Sequence, residues 1–377
     1  MMQSIRVRMM SLACMAVLIF GGLCRADPER ILRDVEFVLR GMERAVLAGD
    51  RDEYLSHVWP GDAVFLAEQR HWADDLPLHV PEEFSLSIDG ERATFADGWA
   101  YAPLTMTWRM KDARSRTVDY PAMFAEHEGT WKYAGERWQI HKGDHVEVRF
   151  YEGFEETARN VADAYPEVRA HVQEGLEITI DRVQQVKLYP SMRHLQASIY
   201  LSYVDPLSGW NEPGEAVKML LSRRGGGGGL KMLLAHEFGH VCTFAMGDKA
   251  TTMPWWVAEG VAELAAEAFA GGGAGLERTM QSWARSGRLA DWELMHDFRT
   301  TPREVMMNVY RQGHHMMAYI SQRHGRTARN NWVRALTQGR TLDEASREVL
   351  DMSFAELDAQ WRASLTEQPE PVEQGAP

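Results

Sequence analysis

Cysteine is scarce in this chain: the 377 residues include three, at Cys14, Cys24 and Cys242. The first two precede Asp27, in a segment that has the features of a cleaved leader. Cleavage there would leave Cys242 alone, so the mature chain could form no internal disulfide and packing must stabilise it. Cys242 lies in an apolar segment, and we expect it to be a small buried side chain.

Long apolar runs are scarce as well. The run over residues 11–23 is shorter than the ~20 residues that a transmembrane helix needs. Arg6 and Arg8 precede it, and Cys24-Arg25-Ala26 places small residues around a cleavage site. The sequence therefore predicts a signal peptide over residues 1–26 and an exported protein, periplasmic or extracellular. We expect no stable membrane insertion of the mature chain.

Positive charge is in short supply. The 41 Lys and Arg residues are outnumbered by 54 Asp and Glu residues, which gives a formal net charge of −13. An acidic chain disfavours nucleic acid and anionic membranes as partners. Nothing in the sequence indicates the oligomeric state.

A run of five glycines, Gly225 to Gly229, follows Arg223 and Arg224. No Gly-Lys-Ser/Thr follows at the spacing of a phosphate-binding loop, which argues against nucleotide binding. We expect a flexible connector. The alternative is a mobile flap beside the site described next, with the two arginines facing acidic groups of a substrate.

The pattern His236-Glu237-Phe238-Gly239-His240 carries the strongest chemical signal in the chain. Two His at i and i+4 lie about 40° apart around a helix, so both imidazoles can reach one metal ion. Glu237 lies beside that face and can act as general base on a water bound to the ion. The pattern predicts one catalytic Zn²⁺ ion, which lowers the pKa of its bound water toward neutrality.

Glu259 is the predicted third ligand and follows His240 after eighteen intervening residues. A catalytic zinc site has three protein ligands and one open position. Glu263 comes one turn later and is predicted to accept the distal N–H of a ligand His. The alternative is two ordinary buried histidines and surface carboxylates. Such groups are costly inside so apolar a helix unless they have a partner.

These residues resemble the gluzincins, zinc metallopeptidases of the peptidase MA clan, and their spacing resembles the aminopeptidase-N-like branch. In that branch the third ligand lies in a run similar to Ala258-Glu259-Gly260-Val261-Ala262. The resemblance implies a zinc-dependent peptidase that acts on a peptide or protein substrate.

Tyr310-Arg311-Gln312-Gly313 resembles the Tyr-x-Lys-Gly segment of the same branch, with Gln312 in place of the family's Lys. The resemblance implies that the Tyr310 hydroxyl stabilises the oxyanion of the tetrahedral intermediate. His314 and His315 are the rivals for this role, because thermolysin-like members use a His.

The Gly-Ala-Met-Glu-Asn segment by which aminopeptidase-N-like enzymes recognise a free amino terminus does not occur, so we expect an endopeptidase. In its place, residues 215–221 are typical of an edge strand that would bind extended substrate by β-addition. Two alternatives stay open. One is a binding or assembly protein of the cell envelope that has lost useful turnover, and the other is a structural zinc site with a fourth protein ligand.

A change of composition near residue 150 predicts two domains and an α+β fold. Residues 27–148 begin with helical periodicity and continue as strands that end in a hairpin over residues 131–140. This order loosely resembles SnoaL-like or nuclear-transport-factor-like domains, which implies a cone-shaped accessory domain. We expect Trp99, Trp108 and His127 to be core or rim residues.

Residues 149–365 are predicted to form the second domain, with strands over 185–189 and 197–203 before the edge strand, and then helices. A small mixed sheet followed by a helical half agrees with a gluzincin, thermolysin-like catalytic domain. Thr341 and Ser353, each with an acid three residues on, predict helix N-termini. Residues 366–377 are rich in Glu, Gln and Pro and predict a disordered tail.

Overall fold

A computed structural model describes residues 27–220, 228–271 and 274–366. The predicted signal peptide, the predicted tail beyond Thr366, and residues 221–227, with most of the glycine run, lie outside the described residues. Gly228 and Gly229 belong to the start of a helix.

The described residues form an α+β fold, as predicted. The strands are β1 (Glu83–Ile88), β2 (Thr94–Ala96), β3 (Trp99–Arg109), β4 (Arg116–His127), β5 (Thr130–Glu136), β6 (Gln139–Gly143), β7 (Val146–Phe150), β8 (Gln184–Tyr189), β9 (Gly209–Trp210) and β10 (Val217–Leu220). The helices are α1 (Pro28–Ala48), α2 (Arg51–Ser56), α3 (Ala63–Asp74), α4 (Glu155–Leu176), α5 (Met192–Ala197), α6 (Gly228–Phe244), α7 (Trp255–Ala266), α8 (Ala274–Ser286), α9 (Met306–His324), α10 (Arg326–Thr337), α11 (Leu342–Leu350) and α12 (Phe354–Thr366).

The first sheet is antiparallel, in the order β1-β3-β4-β5, with β2 paired to β3. Side chains of β3 alternate between half-buried and buried, so one face of this strand packs into a core. Helices α1 to α3 contribute to the same core. Of the three residues expected at the core or rim, Trp108 is fully buried, and Trp99 and His127 are half-buried.

The second sheet has the order β6-β7-β8-β10-β9 and is mixed. Strand β8 runs parallel to both β7 and β10, whereas β6 and β9 are antiparallel to their neighbours. Helix α4 packs on this sheet and against α6, and α7 contacts both α6 and α9. The core of this part therefore lies between the sheet and the helices.

The predicted hairpin over residues 131–140 is not formed. Strand β6 pairs with β7 instead, across the two-residue turn Asp144-His145, in which His145 has a left-handed φ of 56°. A turn this short closes a hairpin locally, and β7 then continues the sheet through β8. The two sheets therefore divide between Glu136 and Gln139, and the expected boundary at residue 148 falls inside β7.

Two further strand predictions were wrong. Residues 198–203, expected as part of a strand, have no regular structure, and their carbonyls bind side chains of the first part of the chain, as described below. Strand β10, expected at the sheet edge, is covered by β9, whose Gly209 and Trp210 pair with Met219 and Lys218. A two-residue strand has too few side chains for periodicity to reveal it.

The helical part ends as predicted. Thr341 forms a capping box with Glu344, and the Ser353 hydroxyl accepts a hydrogen bond from Glu356 N. Cys242 is fully buried, and burial raises the pKa of its thiol to about 12. Among residues 27–220, 228–271 and 274–366, no helix is long and apolar enough to cross a membrane.

Candidate metal centre and cleft

Helix α6 is buried and carries two histidines on one side. Its residues Leu234, Phe238 and Val241 are buried in the core, which explains why the segment is apolar on nearly all sides. His236 and His240 lie one turn apart, and their Nε2 atoms are 3.3 Å from each other.

Glu259 of α7 completes a triangle with these two nitrogens, which is called the ligand triangle here. Its Oε2 atom lies 3.3 Å from His236 Nε2 and 3.6 Å from His240 Nε2. A tetrahedral ion about 2.0–2.1 Å from each ligand separates neighbouring ligand atoms by about 3.3–3.4 Å. Glu259 Oε2 is buried and has no hydrogen-bond partner in the part of the chain that the structure describes. The three residues therefore fit a zinc ion, as the His236–His240 pattern and its spacing to Glu259 led us to expect.

The charges of this cluster are strongly coupled. Burial opposes ionisation of Glu259, but His240 and His236 outweigh it and hold the pKa of the carboxyl well below its usual range. Burial also lowers the pKa of His236, but the carboxylates of Glu259 and Glu263 raise it well above its ordinary value. The Glu259 carboxylate is buried, and a metal cation bound by the three side chains would supply the opposite charge that a buried carboxylate needs.

Two residues orient the candidate ligands. Trp255 Nε1 donates a 2.8 Å hydrogen bond to Glu259 Oε1, which leaves Oε2 facing the histidines. Glu263 Oε1 lies 3.2 Å from His236 Nδ1, the contact expected from the sequence. Partners of this kind fix the tautomer and direction of metal ligands. Sequence analysis missed Trp255, although its position four residues before Glu259 on one helix was a usable signal.

Trp255→Phe is expected to weaken metal binding by about 10- to 100-fold. Phe keeps an aromatic ring at this position, but the N–H that holds Glu259 Oε1 is lost. Titration of the metal-loaded protein with a competing chelator measures the change. Trp131→Phe, at a half-buried Trp of β5, is the matched control and should bind metal as the wild type does. Equal affinity in all three proteins would contradict the orienting role.

Glu237 lies beside the ligand triangle and is 4% exposed. Burial raises the pKa of its carboxyl, and the charge of Glu259 adds to this shift, while His236 and His240 oppose it. The carboxylate packs on the backbone of β9: a methyl group at Gly209 would lie 2.2 Å from Glu237 Oε1. Only glycine leaves room for the carboxylate here.

Tyr310 of α9 faces the same site. Its ring centroid is 6.4 Å from that of His236 and 6.0 Å from that of Trp255. Burial, with smaller contributions from nearby acidic groups, raises the pKa of the phenol far above its ordinary value. The hydroxyl is therefore protonated at neutral pH and can donate a hydrogen bond.

Gln312 stands where the Tyr-x-Lys-Gly segment has Lys. It does not face the cleft. It is fully buried, and its side-chain amide binds both backbone groups of Ala290, with each bond 3.0 Å long. A Lys could not accept the N–H of Ala290. Gln312 therefore attaches α9 to the segment around Ala290.

Two glycines let α7 and α9 approach each other. A methyl group at Gly260 would lie 2.6 Å from the carbonyl of Gly313, and one at Gly313 would lie 2.4 Å from Trp256 O. Gly260 follows the candidate metal ligand Glu259, and Gly313 lies three residues after Tyr310. The close crossing thus sets the distance between Tyr310 and the ligand triangle.

Gly313→Ala is expected to destabilise the protein by about 1–3 kcal/mol, because the added methyl group overpacks a backbone contact. Thermal or denaturant unfolding measures this. The matched control is Gly175→Ala in α4, where an added methyl group meets nothing within 4 Å and should be neutral or stabilising. Equal stability of the two variants would show that the crossing tolerates a larger separation.

His314 and His315 have different surroundings. His315 Nδ1 accepts a hydrogen bond from Trp361 Nε1, and its Nε2 lies 2.7 Å from Glu277 Oε2. Both ring nitrogens of His315 thus have polar partners. His314 lines the cleft, 3.5 Å from Glu267, and burial lowers its pKa. Of the two rivals to Tyr310, His314 alone borders the cleft.

The cleft extends to both sides of these residues. Two cavities, of about 910 and 510 Å³, share His236, Glu237 and Tyr310 in their walls. The larger continues toward Leu276 and His314. The two cavities therefore meet beside the ligand triangle.

The smaller cavity contains a carboxylate that sequence analysis did not single out. Glu212 follows β9 and lines this cavity. Burial and the nearby charge of Glu215 raise its pKa. The neighbouring Asn211 Oδ1 is buried and has no hydrogen-bond partner among the described residues. Glu212 therefore places a carboxylate in the wall at this end of the cleft, where its Oε1 atom accepts a hydrogen bond from the Tyr200 hydroxyl.

No protein-family model matches the chain, and no curated protein matches it. The chain is similar to a solved M1 zinc metallopeptidase from Deinococcus radiodurans, at 16% identity and a TM-score of 0.38, over 78% of this chain and 64% of that one. It is also similar to a mutant M1 zinc metallopeptidase of that organism bound to a Tyr-Ser-Ala substrate, at 15% identity and a TM-score of 0.36, over 79% of this chain and 65% of that one. The chain thus spans under two thirds of either structure. At TM-scores this low, the function has to be inferred from the site.

Proposed function

We propose that this protein is a zinc-dependent metallopeptidase of the gluzincin type. In this proposal His236, His240 and Glu259 hold one zinc ion, and Glu237 and Tyr310 carry the chemistry. The observation that supports it is the ligand triangle, with sides of 3.3, 3.3 and 3.6 Å, beside a buried carboxylate and a protonated phenol. Three ligands leave an open position, which a catalytic zinc site needs.

The residues divide the reaction between them. A zinc ion at this site would polarise the scissile carbonyl and lower the pKa of a coordinated water. Glu237, whose carboxyl is buried beside the ligand triangle, takes the proton of the attacking water and delivers it to the leaving amine nitrogen. Tyr310 donates its hydroxyl hydrogen to the carbonyl oxygen as negative charge develops there.

The proposal extends to architecture and location. Residues 139–365, from strand β6 onward, are the gluzincin-type catalytic domain, and residues 27–136 are an accessory domain of the SnoaL-like kind. The leader over residues 1–26 would export the protein to the periplasm or the extracellular space. The acidic charge of the chain disfavours nucleic acid as a partner.

Endopeptidase action is the mode we propose, because the cleft continues on both sides of the ligand triangle. Exopeptidase action is the second candidate, and the Glu212 carboxylate favours it, since a buried acceptor can bind a free amino terminus. Cleavage of a peptide mixture before and after N-terminal acetylation distinguishes the two. An endopeptidase cleaves both preparations at internal bonds, whereas an exopeptidase that binds the free amino terminus cleaves only the unacetylated one.

The test of the whole proposal is chelator-sensitive cleavage. The purified protein, loaded with zinc, is incubated with the peptide mixture with and without a chelator, and products are identified by mass spectrometry. Cleavage that stops with chelator and returns with zinc is expected. Zinc bound without any cleavage would favour the envelope binding protein considered from the sequence.

A further inference from the structure

We propose that the first domain is a working part of the substrate cleft: its side chains Trp72, Asp75, Trp108 and Arg116 hold the loop that presents Tyr200 and Tyr203 to the substrate. This inference rests on the proposed function. It gives the first domain a specific positioning role in the substrate cleft.

The loop, residues 198–208, joins α5 to β9 and is called the wall loop here. It has no helix or strand. Its backbone hydrogen bonds to other backbone groups are turn bonds near its start, such as Tyr203 N to Tyr200 O, and one bond from Leu220 N to Ser208 O at its end. Tyr200, Tyr203 and Leu207 of this loop line the cleft. A cleft wall of irregular structure needs other bonds to keep one conformation.

Two buried tryptophans of the first domain supply such bonds. Trp72 Nε1 donates to the carbonyl of Ala197, where the wall loop begins, and Trp108 Nε1 donates to the carbonyl of Leu201; both bonds are 3.0 Å long. Trp72 is 5% exposed and Trp108 is fully buried, so water does not compete for either bond.

Two polar contacts complete the attachment. Arg116 Nη1 donates a 2.8 Å hydrogen bond to the carbonyl of Tyr203, and its Nη2 donates to the Gln196 side chain. The Ser202 hydroxyl donates a 2.6 Å hydrogen bond to Asp75 Oδ2. Hydrogen bonds that involve a charged group are the stronger ones. The carbonyls or side chains of three of the four residues 200–203 thus depend on the first domain.

The wall loop is connected to the ligand triangle through aromatic rings. Tyr203 contacts Trp210 and Phe298, with ring centroids 5.5 and 6.1 Å apart, and Phe298 contacts Trp255 at 5.0 Å. Trp255 in turn holds Glu259. A displaced wall loop therefore changes the surface that a bound substrate meets, while the metal ligands keep their own supports in α6 and α7.

Hydrogen exchange and kinetics on the full chain test the inference. The variants are Trp108→Phe and Arg116→Met. Each removes the hydrogen-bond donor of the original side chain and leaves an apolar side chain in its place. Trp131→Phe, at a half-buried Trp of the same sheet, and Arg114→Met, at an exposed Arg beside β4, are the matched controls. The probes are amide exchange of residues 198–208, which needs no ligand, and cleavage of oxidised insulin B chain by the zinc-loaded protein.

In the two test variants, exchange over residues 198–208 is expected to rise about tenfold, the effect of losing one charge-assisted or buried hydrogen bond. Exchange in α6 and α7 should not change. KM should rise about fivefold or more, with kcat within about twofold, because substrate binding is affected and the chemical residues are not. In a Tyr203→Ala background, Arg116→Met should add little to KM, since its effect acts through that loop.

Unchanged exchange over residues 198–208 would overturn the inference, as would faster exchange with unchanged KM. Equal effects in the control variants would also overturn it, because they would indicate general loosening. If exchange rises as expected but the wild type cleaves nothing, the proposed function fails, and the substrate role of the wall loop fails with it while the attachment stands.

Discussion

Glu237→Gln is expected to lower turnover by about 10²- to 10⁴-fold, the usual contribution of a general base, while bound zinc stays at the wild-type level. Gln has nearly the same shape and fits beside Gly209, but it cannot accept a proton from water. Because Glu237 is not one of the three residues in the ligand triangle, the metal should be retained. Single-turnover kinetics and metal analysis on the same preparation measure both quantities.

The matched control for this variant is Glu267→Gln. Glu267 lines the same cleft. Its replacement by Gln makes the same chemical change at a residue that has no role in the proposed reaction. Its turnover should stay within a few-fold of the wild type. Full activity of Glu237→Gln would remove Glu237 from the mechanism, and loss of zinc in that variant would assign it a structural role.

The second large effect is expected from Tyr310→Phe. Removing one donor to a developing oxyanion typically lowers kcat by about 10²- to 10³-fold. KM should change little, because the hydrogen bond strengthens only as charge appears on the carbonyl oxygen. Steady-state kinetics with the peptide that the wild type cleaves best measures this division.

Tyr319→Phe provides the comparison for Tyr310→Phe. Tyr319 is buried further along the same helix, so its variant loses a hydroxyl without loss of a cleft group. It should retain wild-type kinetics. If Tyr310→Phe behaves in the same way, the electrophile must be sought elsewhere, and His314 is the remaining rival that borders the cleft.

The ligand triangle could be predicted from sequence because its geometry is largely local. The i, i+4 spacing of His236 and His240 fixes their relation on any helix, and the same spacing places Glu263 one turn beyond Glu259. The structure brings all four together. What spacing could not provide is the distance between α6 and α7, which depends on the close contact of Gly239 with Ala262, where an added methyl group would lie 3.0 Å from Ala262 Cα.

The substrate side of the cleft was less predictable. The wall loop was expected to include a strand, since its apolar and aromatic residues fit a strand pattern; its carbonyls instead bind Trp108 and Arg116, far away in the sequence. The role of Trp255 and the exposure of Glu212 to the cleft depend on tertiary packing in the same way. Periodicity describes one segment at a time and carries no information on such partners.

The division of the chain shows the same limit. Strand β6 was assigned to the first domain because it follows β5 closely, yet the Asp144-His145 turn pairs it with β7. Strand β9 escaped detection because it consists of two residues, defined by their partners in β10. The α+β class, by contrast, followed from the order of helical and strand-like segments.

Metal content is the most direct test of the central claim, that His236, His240 and Glu259 hold one zinc ion. Mass spectrometry of the purified protein after dialysis should find about one zinc per wild-type chain and almost none in His240→Ala. Gly175→Ala serves as the control for purification and should bind zinc as the wild type does. Absence of zinc from the wild type, or equal zinc in His240→Ala, would contradict the account.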